Sequence, residues 1–200
     1  QLNKKEFSEK NILLTGASSG IGLQAAKILV TSNNNLILPC RNEETAKFTL
    51  KHLSEQIGFD QSKLDFPIID LSNLLSVKEF AQHYILNDKR LDILILNAGL
   101  QYTGSKLPRW SRQKIELTFA VNHLAHHYLA NSLLPLLLKS DQPRLVVTAS
   151  AVHNPQAPGG QFGKPAGLGE MTGIRSNESF LMIDGSTPFS ADKAYKDSKL

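Results

Sequence analysis

The chain has 200 residues, of which 41% are hydrophobic and 20% charged, and carries a formal net charge of +4. A chain of this length buries about 70% of the surface its unfolded form exposes, and this composition excludes a disordered or collagen-like protein. Lys and Arg are scattered and do not interleave with aromatics, so no nucleic-acid partner is expected.

Asn11 to Thr15 is an apolar run that reads as a buried strand. A Gly-rich turn follows, then a helix with apolar periodicity from Ile21 to Val30. Asn33-Asn34-Asn35 is a turn, and Leu36 to Cys40 a second strand. Glu43 to Ile57 reads as a helix that stops near Gly58. Leu64 to Ile69 is a third strand, and Ser72 caps a helix running to about Leu86. Leu91 to Leu96 is a fourth strand. A long helix is predicted over Ser111 to Lys139, with a kink at Pro135. Arg144 to Thr148 is a fifth strand. Strand alternating with helix is the pattern of right-handed βαβ units, and Ile/Leu/Val-rich strands suit a sheet covered on both faces. The predicted fold is α/β, a parallel sheet covered on both faces, in one domain over 1–200.

Residues 151–190 hold seven of the 13 glycines and four of the nine prolines. So long a connection is expected to be functional, here a substrate lid, or else disordered. Helix resumes near Ala191.

The first strand runs into Thr15-Gly16-Ala17-Ser18-Ser19-Gly20-Ile21-Gly22, which opens a helix. A pyrophosphate needs free backbone N–H groups at a helix N-terminus, and side chains at Gly16, Gly20 or Gly22 would obstruct the turn, the phosphate or the helix packing. Strand before and helix after supply the context such a motif requires. Thr15, Gly16, Ser18, Ser19, Gly20, Ile21 and Gly22 are therefore expected to bind a dinucleotide. Arg41 follows the second strand, where a carboxylate would select NAD and an Arg suits the 2′-phosphate of NADP(H). The alternative is a solvated surface Arg. Asp70 and Leu71 close the third strand, where Asp70 either accepts from the adenine amino group or neighbours the Ser72 cap. Asn97-Ala98-Gly99 ends the fourth strand and leaves room for a flat cofactor at the ligand edge of the sheet.

Tyr195 and Lys199 lie four apart on a predicted helix and share a face. A phenol titrates near pH 10 on its own, and a neighbouring ammonium favours the phenolate. Such a pair beside a nicotinamide can exchange a proton while hydride moves. Ser150, at the end of the fifth strand, either holds the substrate oxygen or satisfies local backbone.

Taken in order, Thr15 to Gly22, Asp70, Asn97-Ala98-Gly99, Asn122, Ser150, Tyr195 and Lys199 resemble the short-chain dehydrogenase/reductase family. The resemblance spans essentially the whole chain. It implies a Rossmann-type doubly wound parallel sheet, incomplete at the C-terminal edge, and an Asn122-Ser150-Tyr195-Lys199 tetrad. In that tetrad Tyr195 is acid/base, Lys199 lowers its pKa and binds the nicotinamide ribose, and both contact the cofactor. Ser150 would orient the substrate and Asn122 support a water relay. By spacing alone, Asn122 is only a polar residue in an apolar helix. The family also implies homo-oligomers through the Asn122 and Tyr195 helices, and strands beyond this C-terminal edge. Within it, Cys40-Arg41-Asn42 and Val121-Asn122-His123-Leu124 are similar to the retinol dehydrogenase and protochlorophyllide reductase branches. Met182-Ile183-Asp184-Gly185 and Ala194-Tyr195-Lys196-Asp197-Ser198-Lys199 resemble the light-dependent reductases more closely. Asn97-Ala98-Gly99-Leu100-Gln101 and Ser150 follow the general family form instead. Carbonyl/alcohol chemistry on a small-molecule substrate is the first expectation, and photoreduction or a non-catalytic NADP sensor the alternatives.

His123, His126 and His127 share helical spacings but lack further ligands, so no metal is expected. Cys40, the single cysteine, reads as a small buried residue, allows no internal disulfide, and suits a reducing, cytoplasmic compartment. A plastid stroma or thylakoid surface follows if photoreduction holds. Trp110, Phe119 and Tyr128 read as core or interface aromatics. No apolar run approaches the roughly 18 residues of a membrane span, and the polar start Gln1 to Lys10 does not read as a secretory signal.

Overall fold

The computed structural model describes residues 8–102, 104–175 and 180–200. Most of the polar N-terminal stretch, and residues 176–179 of the Gly/Pro-rich segment, lie outside the described residues.

Five strands form one parallel sheet: β1 (Asn11–Leu14), β2 (Asn35–Ile37), β3 (Leu64–Asp65), β4 (Ile93–Leu96) and β5 (Arg144–Val147). Their order is β3-β2-β1-β4-β5. The chain therefore leaves β1 first toward one edge and then returns to its other side, which makes the carboxyl ends of β1 and β4 a topological switch point. Helices α1 (Gly20–Val30), α2 (Glu43–Ser54) and α3 (Leu74–Leu86) make the early crossovers. Asn42 caps α2 by accepting from Thr45 N at 2.9 Å, and Glu43 and Glu44 place negative charge in its first turn.

The chain divides into two compact units. One takes the described residues up to Asp70, Leu75–Ala98 and Tyr128–Thr148; the other takes those of Leu71–Leu74, Gly99–His127 and Ala149–Leu200. The first contains the sheet. Its core joins Ile12, Leu14 and Ile93 of the strands to Leu23, Ala26 and Val30 of α1, all buried. Asp92 pins the N-terminal end of this sheet. Its buried carboxylate accepts from Asn11 N (2.9 Å), Asn11 Nδ2 (3.0 Å), Arg90 Nε (3.1 Å) and Ser140 Oγ (2.6 Å). Burial opposes the charge, but the bonds from Ser140, Asn11 and Arg90 prevail and hold the carboxyl at about 2 rather than 3.8. A depressed acid stabilises the fold above its unfolded pKa and loses that contribution as pH falls through the folded one. Asp92→Asn should therefore cost about 2 kcal/mol at neutral pH. Urea unfolding at pH 7 checks this, and a loss below a few tenths of a kcal/mol would contradict it.

β5 departs from the expected doubly covered strand. Leu145, Val146 and Val147 are 48%, 44% and 61% exposed. Among the described residues β5 pairs on one side only, with β4.

The second unit revises the long helix predicted over 111–139. Residues 110–116 are not helical. Trp110 and Glu116 form an antiparallel bridge, and Ile115 bridges Phe180. The helix begins at α4 (Leu117–Phe119), passes through a π-turn at Ala120–Leu124, and continues as α5 (Ala125–Leu137), two residues past Pro135. The buried Glu116 caps it, accepting from Thr118 N and Phe119 N at 2.9 Å and from Tyr102 Oη. Burial, aided by Glu116, pushes the Tyr102 phenol up to about 12. Trp110, read as a core or interface aromatic, is 42% exposed and so not core, while Phe119 packs on Phe180 at 4.9 Å. The final helix is α6 (Ala191–Asp197), capped by Ser190 Oγ accepting from Lys193 N.

Candidate functional site

The first unit presents the phosphate turn. Gly16 has φ +72, and a Cβ there would lie 2.7 Å from Ala98 Cα. A Cβ on Gly22 would lie 2.1 Å from Gly16 O. Glycine at both positions is thus a packing requirement: the turn, the end of β4 and α1 meet backbone to backbone. Thr15 and Asn97 tie them together. Thr15 Oγ1 accepts from Asn97 N and Ala98 N, each at 3.0 Å. Asn97 Nδ2 donates to Thr15 O at 3.2 Å, and Asn97 Oδ1 accepts from Thr148 Oγ1 at 3.2 Å. These two side chains serve the frame, leaving backbone to face a ligand.

The N-terminus of α1 suits an anion. Its N-cap Ser19 makes no side-chain capping bond, and Ser19, Gly20 and Ile21 are exposed, with Ser18 half-buried. An eleven-residue helix with open first-turn amides fits a diphosphate. Arg41 is exposed immediately after Cys40, whose backbone bridges Ile68. Asp70 is half-buried and its N–H donates to Ser76 Oγ at 3.1 Å. Cys40 is buried, which pushes its thiol upward.

The second unit gathers most of the proton-transfer set. Lys199 Nζ stands over the Tyr195 ring, 5.9 Å from its centroid. A Cβ on Gly99 would be 3.4 Å from both Lys199 Nζ and Asn122 Oδ1, so the three residues adjoin. Asn122 sits in the π-turn, buried. Its Oδ1 accepts from Leu100 N at 2.8 Å, and its Nδ2 donates to Leu100 O at 3.1 Å and Ser198 Oγ at 3.0 Å. The side chain thereby clamps the strand exit after Gly99 to the end of α6. Burial lowers the Lys199 ammonium below its ordinary range. Leu71 also falls in this unit, half-buried.

Ser150 is placed less directly. Its hydroxyl accepts from Val152 N at 3.5 Å, and its carbonyl accepts from His153. Tyr195 instead shares a cavity of about 230 Å³ with Val152, Gln101, Gly159, Phe162, Asp192 and Lys196. Among the described residues no group of three or more His, Cys, Asp or Glu could hold a metal. His123 instead stacks on Phe119 and His127.

Sequence reasoning passed over the lysines flanking Tyr195. Lys193 and Lys196 are buried, with Asp197. Lys193 bonds Asp197 Oδ2 at 2.6 Å and Asp184 Oδ2 at 3.0 Å. The i,i+4 spacing of Lys193 and Asp197 was a readable signal for that pair; Lys196 carried none.

A Gly-rich turn at the switch point of a parallel sheet defines a Rossmann-type nucleotide-binding protein. The family model described as short chain dehydrogenase matches residues 10–161. The chain belongs to the short-chain dehydrogenase/reductase family. It is 34% identical to the chloroplastic protochlorophyllide reductase of Daucus carota, over 98% of this chain and 50% of the carrot protein. Against the Chlamydomonas reinhardtii protein of the same name it is 34% identical, over 96% of this chain and 48% of that one. The chain thus spans about half the length of the curated relatives it matches. Among solved structures, the E. coli oxidoreductase yciK superposes with a TM-score of 0.66 at 29% identity, covering 100% of this chain and 68% of that one. A Shigella flexneri protein described as a putative short chain dehydrogenase complexed with NADP gives 0.63 at 29% identity, covering 96% and 66%. No helix among the described residues is long and apolar enough to cross a membrane.

Proposed function

We propose that the protein is an NADP(H)-dependent oxidoreductase that moves hydride between the nicotinamide and a carbonyl/alcohol substrate, with Tyr195 as acid/base. The observation that carries this reading is the placement of Tyr195: Lys199 stands over its ring, and the ring lines a cavity. In the reduction direction Tyr195 Oη gives its proton to the carbonyl oxygen, and the neighbouring Lys199 cation favours the phenolate left behind. Bound NADPH supplies the hydride for the carbonyl carbon. Gly16, Ser18, Ser19, Gly20, Ile21 and Gly22 form the diphosphate turn framed by Thr15. Asp70, Leu71, Asn97, Ala98 and Gly99 contact the rest of the cofactor, and Lys199 its ribose. Asn122, bonded to Ser198, positions the turn after α6 that carries Lys199. Ser150, whose hydroxyl accepts from Val152 N and keeps its own proton to donate, orients the substrate oxygen.

The NADP preference rests on Arg41, with no acid at the end of β2. Neighbours described with NADP or NADPH support it. Arg41→Asp should reverse the preference, weakening NADPH by about tenfold or more through loss of a charge-assisted contact. Dissociation constants for NADPH and NADH in both proteins test this; the same preference in each would remove Arg41 from the site.

A second reading, reduction of protochlorophyllide, is favoured by the names of the curated relatives. Hydride and proton would then add across a C=C bond of a tetrapyrrole in the light. Oxidation of NADPH by the longest available chain, in light and dark, with carbonyl compounds and with protochlorophyllide, separates the two. Turnover in the dark with a carbonyl compound supports the first. Turnover only with protochlorophyllide under illumination would replace it. Self-association through the Asn122 and Tyr195 helices and a cytoplasmic location, or a plastid one under the second reading, belong to the same proposal.

A further inference from the structure

Residues 151–190 are expected to form a substrate lid or else be disordered, and the described part of this segment is tied to α6 by two lysines on either side of Tyr195. Lys196 is 4% exposed, and its ammonium donates to three backbone carbonyls: Gly160 O and Lys164 O at 3.1 Å, and Phe162 O. Three carbonyls at alternate positions of one loop therefore converge on one cation. Gly160 is required for that path, since a Cβ there would lie 1.8 Å from Asn154 O. Lys193 makes the second tie. It donates to Gly167 O at 2.8 Å, while Asp197 Oδ1 accepts from Gly167 N at 2.9 Å.

These ties have a consequence for the cavity beside Tyr195. Its loop-side wall is Gly159, Phe162 and Gly163, the very stretch whose carbonyls Lys196 collects. Phe162 is 75% exposed and makes little packing of its own, so its position follows from its backbone. The Lys196 charge is spent on the three carbonyls and is not offered to a ligand. The charged residue that remains in the lining is Asp192. Val152, Phe162 and the Tyr195 ring give the lining its apolar part, and Gln101 and Asp192 make it a mixed one.

We propose that Lys196 is a positioning and specificity-determining residue. It holds the 160–164 loop so that Phe162 walls a cavity for compact, uncharged aromatic carbonyl compounds, and anionic ones are disfavoured. The inference rests on the proposed role of Tyr195 only for the orientation of the carbonyl toward its hydroxyl. A cavity of about 230 Å³ is smaller than the roughly 300–1,000 Å³ of drug-sized sites, which suits a one- or two-ring compound.

The test measures equilibrium binding of naphthaldehyde and of naphthoate in the presence of NADP⁺, with amide hydrogen exchange over 159–167. Wild type, Lys196→Met, Lys196→Arg and Phe162→Ala are compared. Wild type should bind the aldehyde in preference to the carboxylate. Lys196→Met should weaken the aldehyde by about tenfold or more and speed exchange across the loop, with NADP⁺ affinity unchanged. Lys196→Arg, which keeps the cation, should restore part of both. Phe162→Ala should weaken the aldehyde without altering exchange, and it tests the wall even if Lys196→Met does not fold. Wild-type aldehyde binding and exchange in Lys196→Met would overturn the proposal, as would equal or tighter binding of naphthoate by wild type. Full turnover in Tyr195→Phe would remove the catalytic reading and leave the loop-anchoring result standing.

Discussion

Tyr195→Phe should lose about 10²–10⁴-fold in turnover of an accepted carbonyl substrate, the usual contribution of a positioned general acid. In free-energy terms this is about 3–5 kcal/mol of the barrier. The substitution removes one oxygen and keeps the ring, so the face over which Lys199 stands and the cavity lining persist. NADPH binding should therefore stay near wild type, because the diphosphate turn is framed by Thr15, Gly16, Gly22 and Asn97, all distant in sequence from Tyr195. Steady-state turnover and fluorescence titration of NADPH, measured on the same preparation, check both halves. An unchanged turnover rate in Tyr195→Phe would refute the mechanism, while a parallel loss of NADPH affinity would show that the phenol serves binding rather than proton transfer.

Acidification should destabilise the fold through His126. This imidazole is 4% exposed and its Nδ1–H donates to Asn122 O at 3.1 Å. Burial drives its pKa down from 6.5 to about 4; the Asn122 carbonyl opposes that shift, and the nearby Lys199 and His123 charges add to it. The sign follows from which state holds the proton. Between pH 6.5 and about 4 the unfolded chain is protonated at this histidine and the folded chain is not. Stability is therefore full above 6.5 and declines toward 4, by about 3 kcal/mol in total. His126→Gln, which keeps a donor for the Asn122 carbonyl but does not titrate, should flatten that part of the curve. Urea unfolding of both proteins at half-unit pH steps is the measurement. Parallel curves for the two proteins would exclude His126 as the source. Because His126 bonds the same π-turn that carries Asn122, its protonation should also lower activity in this window.

The alternation of apolar strands with amphipathic helices was enough to predict the parallel sheet, and Thr15 to Gly22 enough to locate its diphosphate turn. Both are local: a strand of period two, a helix of period 3.6, and glycines where backbone must approach backbone. The helix over 117–137 was readable for the same reason. Its start was not, because residues 111–116 are polar and apolar in a helix-compatible order while their actual partners, Trp110 and Phe180, are bridged by backbone. Glu116 shows the same limit. A lone acid gives no sign that it will be buried as a cap and bonded to Tyr102.

The candidate site divides along the same line. Spacing placed Tyr195 and Lys199 on one helix face; α6 ends at Asp197 and Lys199 sits in the turn beyond it, yet its ammonium still stands over the Tyr195 ring. The sequence determined the fold class, the glycine turn and the absence of a long apolar span. Tertiary structure decided what no periodicity encodes: that Asn122 clamps Leu100 from a π-turn, that Ser150 engages its own backbone, and that Lys196 gathers three carbonyls of a Gly-rich loop. The Asn122 and Lys196 contacts join residues 22 to 36 positions apart, while the Ser150 contact stays within its own turn, and a buried ammonium or amide is stable only where the fold supplies partners for all its donors.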